Sequence, residues 1–194
     1  AIPTETAAPT ETPLPTETPT STPIPVPELE RPQYVMDLQL NYSNKSAAVN
    51  QTITYPNWTG ETLTSLVLAV EPNLWNGGFS LKSLAVDELP IANYQLENLS
   101  QRLEIPLPQP LAPGGTVTIT MSYGLILPQM QAYSNPNEIR PQIYGYSERQ
   151  LNLVDWYPFI VPYVNGEWVL HNPWYYGEHL VYDTADFDVT VAFT

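Results

Sequence analysis

The 194-residue chain carries 20 acidic and 6 basic residues, a formal net charge of −14, and no cysteine. That balance argues against nucleic-acid binding, because phosphate contacts need Lys and Arg, and the absent thiols exclude disulfides, thiolate metal sites and a cysteine nucleophile. No run approaches the ~20 apolar residues that span a bilayer, so no membrane insertion is expected.

Residues 1–33 are dominated by Pro, Thr and Glu, a composition that cannot bury enough apolar surface to offset its ordering entropy. PTET begins at Pro3, Pro9 and Pro15, a strict six-residue step. Alternating prolines favour polyproline II, with three residues per turn and about 3.1 Å rise, so the repeat is two turns. Glu5, Glu11 and Glu17 then share one edge of an extended tail. Thr-Pro density is also the composition of O-glycosylated stalks, making Thr4, Thr6, Thr10, Thr12, Thr16, Thr18, Thr20 and Thr22 candidate glycan carriers. The apolar end PIPVP differs from the rest, and Ile24 and Val26 are its candidate contacts with a neighbouring subunit. The start at Ala1 reads as a mature end left after signal-peptide removal, which places the protein outside the cell or on its surface.

From Tyr34 the texture changes to period two. YVMDLQLNY, AVNQTITY, LTSLVLAVE, RLEIPLPQPL and TVTITMSYGL read as strands, and NYSNKS, PNWTGE, NLWNGGF and LAPGGT as the turns between them. In LAPGGT, Gly114 and Gly115 are free to take positive φ. Asn165-Gly166 is a hairpin signal between two apolar runs. In FDVTVAF, Phe187, Val189, Val191 and Phe193 share one face, while Asp186, Asp188, Thr190 and Ala192 share the other, which predicts a half-buried strand. A core strand at Thr194 implies further chain or a covering partner. Residues 34–194 are therefore expected to form an antiparallel β-sandwich, an all-β domain behind an extended tail of residues 1–33.

Five N-x-S/T sequons, at Asn41, Asn44, Asn50, Asn57 and Asn98, point to a glycan-bearing patch, provided Asn50 faces solvent from its strand. His171 and His179, with Glu178, sit in HNPWYYGEH without a helix to bring two of them together, so they are read as polar loop residues, not zinc ligands. Asp183, Asp186 and Asp188 lack the glycine turn and spacing of a calcium loop. There is no G-x-S-x-G elbow and no phosphate-binding glycine loop. Trp174, Tyr175 and Tyr176 cannot all point inward from a strand, which makes them candidate inter-subunit contacts.

The run LNLVDWYPFIVPYVNGEWVLHNPWYYGEHLVYDTADFDVTV resembles the amino-terminal β-domain of the membrane alanyl aminopeptidase family of zinc metallopeptidases. The carrying features are Trp-Tyr-Pro, Gly-x-Trp, and an acidic stretch before an aspartate-flanked Val-Thr-Val strand. Earlier segments agree in order, from LQLNY through LTSLVLAVEPN to RLEIPLPQPLAPGG and TVTITMSYG. The resemblance implies a saddle-like antiparallel sandwich. That family's zinc ligands lie on a separate helical domain carrying His-Glu-x-x-His; this chain has neither that motif nor Gly-x-Met-x-Asn.

The expectation is a non-catalytic extracellular structural subunit without cofactor, glycosylated and self-associating head-to-tail into a surface filament. Its tail would contact the next subunit. One alternative is the amino-terminal non-catalytic domain of an exported zinc aminopeptidase-like protein. Another is a carbohydrate-binding module using exposed aromatics.

Overall fold

The computed structural model describes residues 30–130, 144–173 and 182–194. The candidate threonines, Ile24, Val26, Trp174, Tyr175, Tyr176, Glu178 and His179 lie outside them. Chain order begins with β1 (Gln33–Asn41), β2 (Ser46–Pro56), β3 (Leu63–Ala69), a 3-10 turn (Glu71–Leu74), β4 (Phe79–Val86), β5 (Leu89–Pro90) and β6 (Gln95–Leu96). Then come β7 (Arg102–Leu111), β8 (Thr116–Ile126), β9 (Gly145–Tyr146), β10 (Leu151–Asn152), β11 (Phe159–Ile160), β12 (Tyr163–Val164), β13 (Glu167–Trp168) and β14 (Asp186–Phe193).

The fold is an all-β sandwich. One sheet has the order β14-β1-β2-β8-β4-β5 and the other β11-β3-β7-β6. The period-two pattern sets the inner face of the large sheet. Tyr34, Met36, Leu38 and Leu40 of β1, Val49 and Ile53 of β2, and Ile119, Met121, Tyr123 and Leu125 of β8 are buried, with alternate residues outward. Leu66, Leu68, Leu103 and Ile105 of the small sheet belong to the same core.

Two turns form as expected. Asn165 (φ 52°) and Gly166 (φ 84°) close the β12–β13 hairpin, the left-handed pair that such a two-residue loop requires. Gly114 takes φ 75°, whereas Gly115 is not left-handed; a Cβ there would come to 3.0 Å from the Ala112 carbonyl oxygen. β3 departs from alternation: its last four residues are all buried. The three prolines of β7 are accommodated where its register with β3 shifts, between Leu63 and Ser65, and along stretches left without a ladder partner.

The last strand corrects two expectations. β14 pairs with β1 in parallel, Gln33 opposite Asp186 through Leu40 opposite Phe193, in an otherwise antiparallel sheet. It is also exposed along its whole length, not half buried. The apolar set lies in register with the inner residues of β1, as the alternation requires. Among the described residues, however, the small sheet does not extend over the β14 edge, so no layer closes on it.

Candidate functional site

At one end of the sandwich the start of β1, the end of β2, the segment leading into β11 and the segment leading into β14 converge. Four regions distant in sequence thereby bring rings together. Phe187 stacks on Tyr34 with centroids 5.1 Å apart and planes 19° apart. Tyr157 meets Tyr34, Phe187 and Phe159 edge-on at 5.8, 5.7 and 6.0 Å, and Tyr182 meets Phe159 edge-on at 4.6 Å. Such arrangements match the ring quadrupoles. The rings and Tyr55 line a cavity of about 320 Å³, with Asp155 and Asp183 at its wall.

Backbone wiring fixes these walls. Gln51, buried on the inner face of β2, donates from Nε2 to the Pro158 carbonyl at 2.7 Å and accepts at Oε1 from the Tyr123 hydroxyl at 2.7 Å. It thus pins the Trp-Tyr-Pro segment to the large sheet. The amide of Ile160 donates to the Tyr34 hydroxyl at 3.1 Å. Asp155 is held at φ 49°, in the left-handed region.

Burial and nearby carboxylates both act on the phenols of the cavity. Burial pushes the Tyr55 phenol up to about 12, and the Asp183 carboxylate pushes it further the same way. Burial and Asp155 likewise raise Tyr157 to about 12. Burial raises Tyr34 well above the ordinary phenol value, against the opposing hydrogen bond from Ile160 and with Asp183 adding to the rise. Low dielectric and negative charge both disfavour phenolate.

A wider cleft of about 480 Å³ adjoins the cavity, sharing Pro32, Tyr55, Asp183 and Thr184 with it. There the Trp58 indole donates to the Glu30 carbonyl at 2.9 Å and the Tyr163 hydroxyl donates to Glu61 at 2.9 Å. That carboxylate raises the Tyr163 phenol.

His171 is not a surface loop residue. Its Nε2 lies 2.6 Å from Glu71 Oε1, with both side chains 5% exposed, and its ring stacks on Phe159 at 6.0 Å. Its backbone carbonyl accepts from Gln101 at 2.5 Å. Placing Glu71 on the 3-10 turn makes the pair a tie between that turn and the β13–β14 connection. Among the described residues no three His, Cys, Asp or Glu side chains converge as a metal site. Asp186 is in an ion pair with Arg31 at 3.6 Å, while Asp183 lines the cavity.

The sequons divide. Asn44, Asn50 and Asn98 are exposed, with Asn50 on the solvent side of β2, and Asn41 is half-buried, accepting from the Asn44 amide at 2.8 Å. Asn57 corrects the sequence reading. It is fully buried, its Nδ2 donating to the Glu61 and Leu111 carbonyls at 2.8 and 3.0 Å and its Oδ1 accepting from Thr59 Oγ1 at 2.6 Å and the Thr59 amide at 3.1 Å. The folded domain has no room for a sugar there.

Sequence reasoning missed the ring cavity. Its one local signal is the aromatic enrichment of DWYPF, which does not tell which rings meet.

No family model and no curated protein matches the chain. Among solved structures it is similar to an M1 zinc metallopeptidase mutant from Deinococcus radiodurans bound to a Tyr-Ser-Ala substrate. That match has 18% identity and a TM-score of 0.42, over 55% of this chain and 22% of the other. A mutant two-domain M1 zinc metallopeptidase bound to L-arginine matches at 19% identity and TM-score 0.44, over 61% and 24%. The D. radiodurans metallopeptidase without substitution matches at 16% and 0.43, over 60% and 27%. The matched region is thus about a quarter of each metallopeptidase. No helix of the described residues is long and apolar enough to cross a membrane.

Proposed function

We propose that this chain is a non-catalytic β-domain that works by docking, with the inner-side face of β14 as its contact surface and a second folded domain as its counterpart. One observation carries the reading. Phe187, Val189, Val191 and Phe193 are 52%, 43%, 44% and 76% exposed on the side of the sheet that elsewhere forms the core. A contiguous apolar row of this kind is a contact surface awaiting its cover. The sequence resemblance supplies the partner's class: a zinc-peptidase domain. Translating the coding sequence beyond Thr194 tests this. His-Glu-x-x-His with a downstream Glu supports the reading, and a stop codon close to Thr194 refutes a covalently attached peptidase domain.

A second reading is the extracellular filament subunit, and the edge position of β14 favours it. The strand's outer edge has no partner strand among the described residues, so a neighbouring subunit has both backbone groups and apolar side chains to bind. In this reading the proline tail tethers one subunit to the next through Ile24 and Val26, with sugars on the threonines and exposed sequons. Contacts of this heterologous kind propagate when they do not close. Electron microscopy after deletion of residues 1–27 decides the tether: monomers are expected, and unchanged filaments refute it.

A further inference from the structure

We propose that the outer edge of β14 pairs with the same edge of a second copy of this chain, antiparallel and about a two-fold axis at Thr190. The ladder with β1 decides which backbone groups are free for this. The Asp186 amide donates to the Pro32 carbonyl at 2.9 Å, and the Thr194 amide to the Leu40 carbonyl at 3.0 Å. Backbone groups alternate sides along a strand. Those of the even-numbered residues therefore turn toward β1, and those of Phe187, Val189, Val191 and Phe193 turn outward. Among the described residues no strand takes them up. Edges are commonly guarded by proline, lysine or a bulge. β14 has none of these, and its eight register pairs with β1 run without a shift.

The strand is its own complement. Phe187, Val189, Val191 and Phe193 read the same in both directions about Thr190. An antiparallel copy centred there sets Phe187 opposite the second copy's Phe193, and Val189 opposite its Val191. These are the pairs whose outward groups exchange hydrogen bonds, about eight bonds in all. Aromatic and β-branched side chains then meet their like across the seam. On the other face Asp188 comes opposite Ala192, and Thr190 opposite itself, so no carboxylate faces another. Sliding the copies toward the start of the strand brings Asp188 against Asp188, which like charges disfavour. A two-fold contact of this kind closes at two copies. The charge of −14 on each opposes approach, so pairing strengthens as salt screens it. The edge is used and the apolar face is left to a docking domain, so either contact can fail without the other.

The chain has no cysteine, so one introduced thiol reports the register. In the full 194-residue chain, Thr190→Cys places two sulfurs in a non-hydrogen-bonded pair with Cα atoms roughly 4.5 Å apart, within disulfide reach. Ala192→Cys, on the same exposed face, leaves its two copies roughly 14 Å apart. At raised salt and under mild oxidation, Thr190→Cys is expected to cross-link about tenfold faster than Ala192→Cys. A mixture of Asp188→Cys and Ala192→Cys chains is expected to cross-link between unlike copies. Val191→Pro removes an outward donor and no bond to β1, and is expected to abolish the dimer in sedimentation. Packing through the apolar face alone would keep the Thr190 thiols on opposite outer surfaces. Equal cross-linking of Thr190→Cys and Ala192→Cys would therefore overturn the proposal, as would a parent chain that stays monomeric at every salt concentration.

Discussion

Asn57 shows how one side chain can be spoken for twice by the sequence. NWT is a glycan acceptor by motif, yet the fold uses all of the amide's hydrogen-bonding capacity to tie the β2–β3 turn to the end of β7. Asn57→Ala strands the buried Leu111 carbonyl and removes the part-buried bonds to the Glu61 carbonyl and the Thr59 amide. A loss of about 2–3 kcal/mol in urea denaturation is expected, and a loss within experimental error would mean the turn is held otherwise. The tyrosines permit a second residue-scale prediction. Tyr55 and Tyr157 have folded values near 12, above the ordinary phenol value of 10.0. Above about pH 10 the unfolded chain therefore releases these protons before the folded one does. Stability is full below that pH and falls as pH rises toward about 12. Ultraviolet absorbance should show these phenols still protonated at pH values where a free tyrosine has ionised. Ordinary titration of every tyrosine would contradict the burial of the cluster.

Elements were legible in proportion to how local their causes are. β1, β2 and β8 were readable, faces included, because alternation is written residue by residue and a slip would bury the wrong set. β14 follows the same alternation, and its pattern named the correct apolar face. What the pattern could not carry is whether another layer lies over that face, which depends on where the small sheet ends. The ring cavity was illegible for a related reason: Tyr34 and Tyr157 lie more than a hundred positions apart, and long-range bonds such as Gln51–Pro158 and Ile160–Tyr34 bring their segments together. Exposure along β14 has a measurable counterpart. In hydrogen exchange its amides are expected to lose protection well before those of β2 and β8, which sit between paired neighbours. Equal protection would indicate that the face is covered in solution.

For the whole molecule, two opposing surface properties meet. A net charge of −14 keeps copies apart, while the β14 row favours contact. Salt screens the first without weakening the second. Sedimentation is therefore expected to show monomers at low ionic strength and association as salt rises. Val191→Asp, at an exposed position, should suppress that association while changing stability by no more than about 0.5 kcal/mol. Association unaffected by Val191→Asp would remove β14 as the contact.

The parallel pairing of β14 with β1 has a mechanical consequence. Gln33 and Asp186 start the ladder together, and Leu40 and Phe193 end it together, through eight register pairs. A pull on the tail acts at the Gln33 end, and a pull on whatever follows Phe193 acts at the other end, roughly 25 Å away. The two strands are then dragged past each other along their length, so the inter-strand hydrogen bonds share the load and must fail together, not one after another. The β1–β14 pair is thus a shear-loaded clasp under tension applied at Gln33 and Phe193.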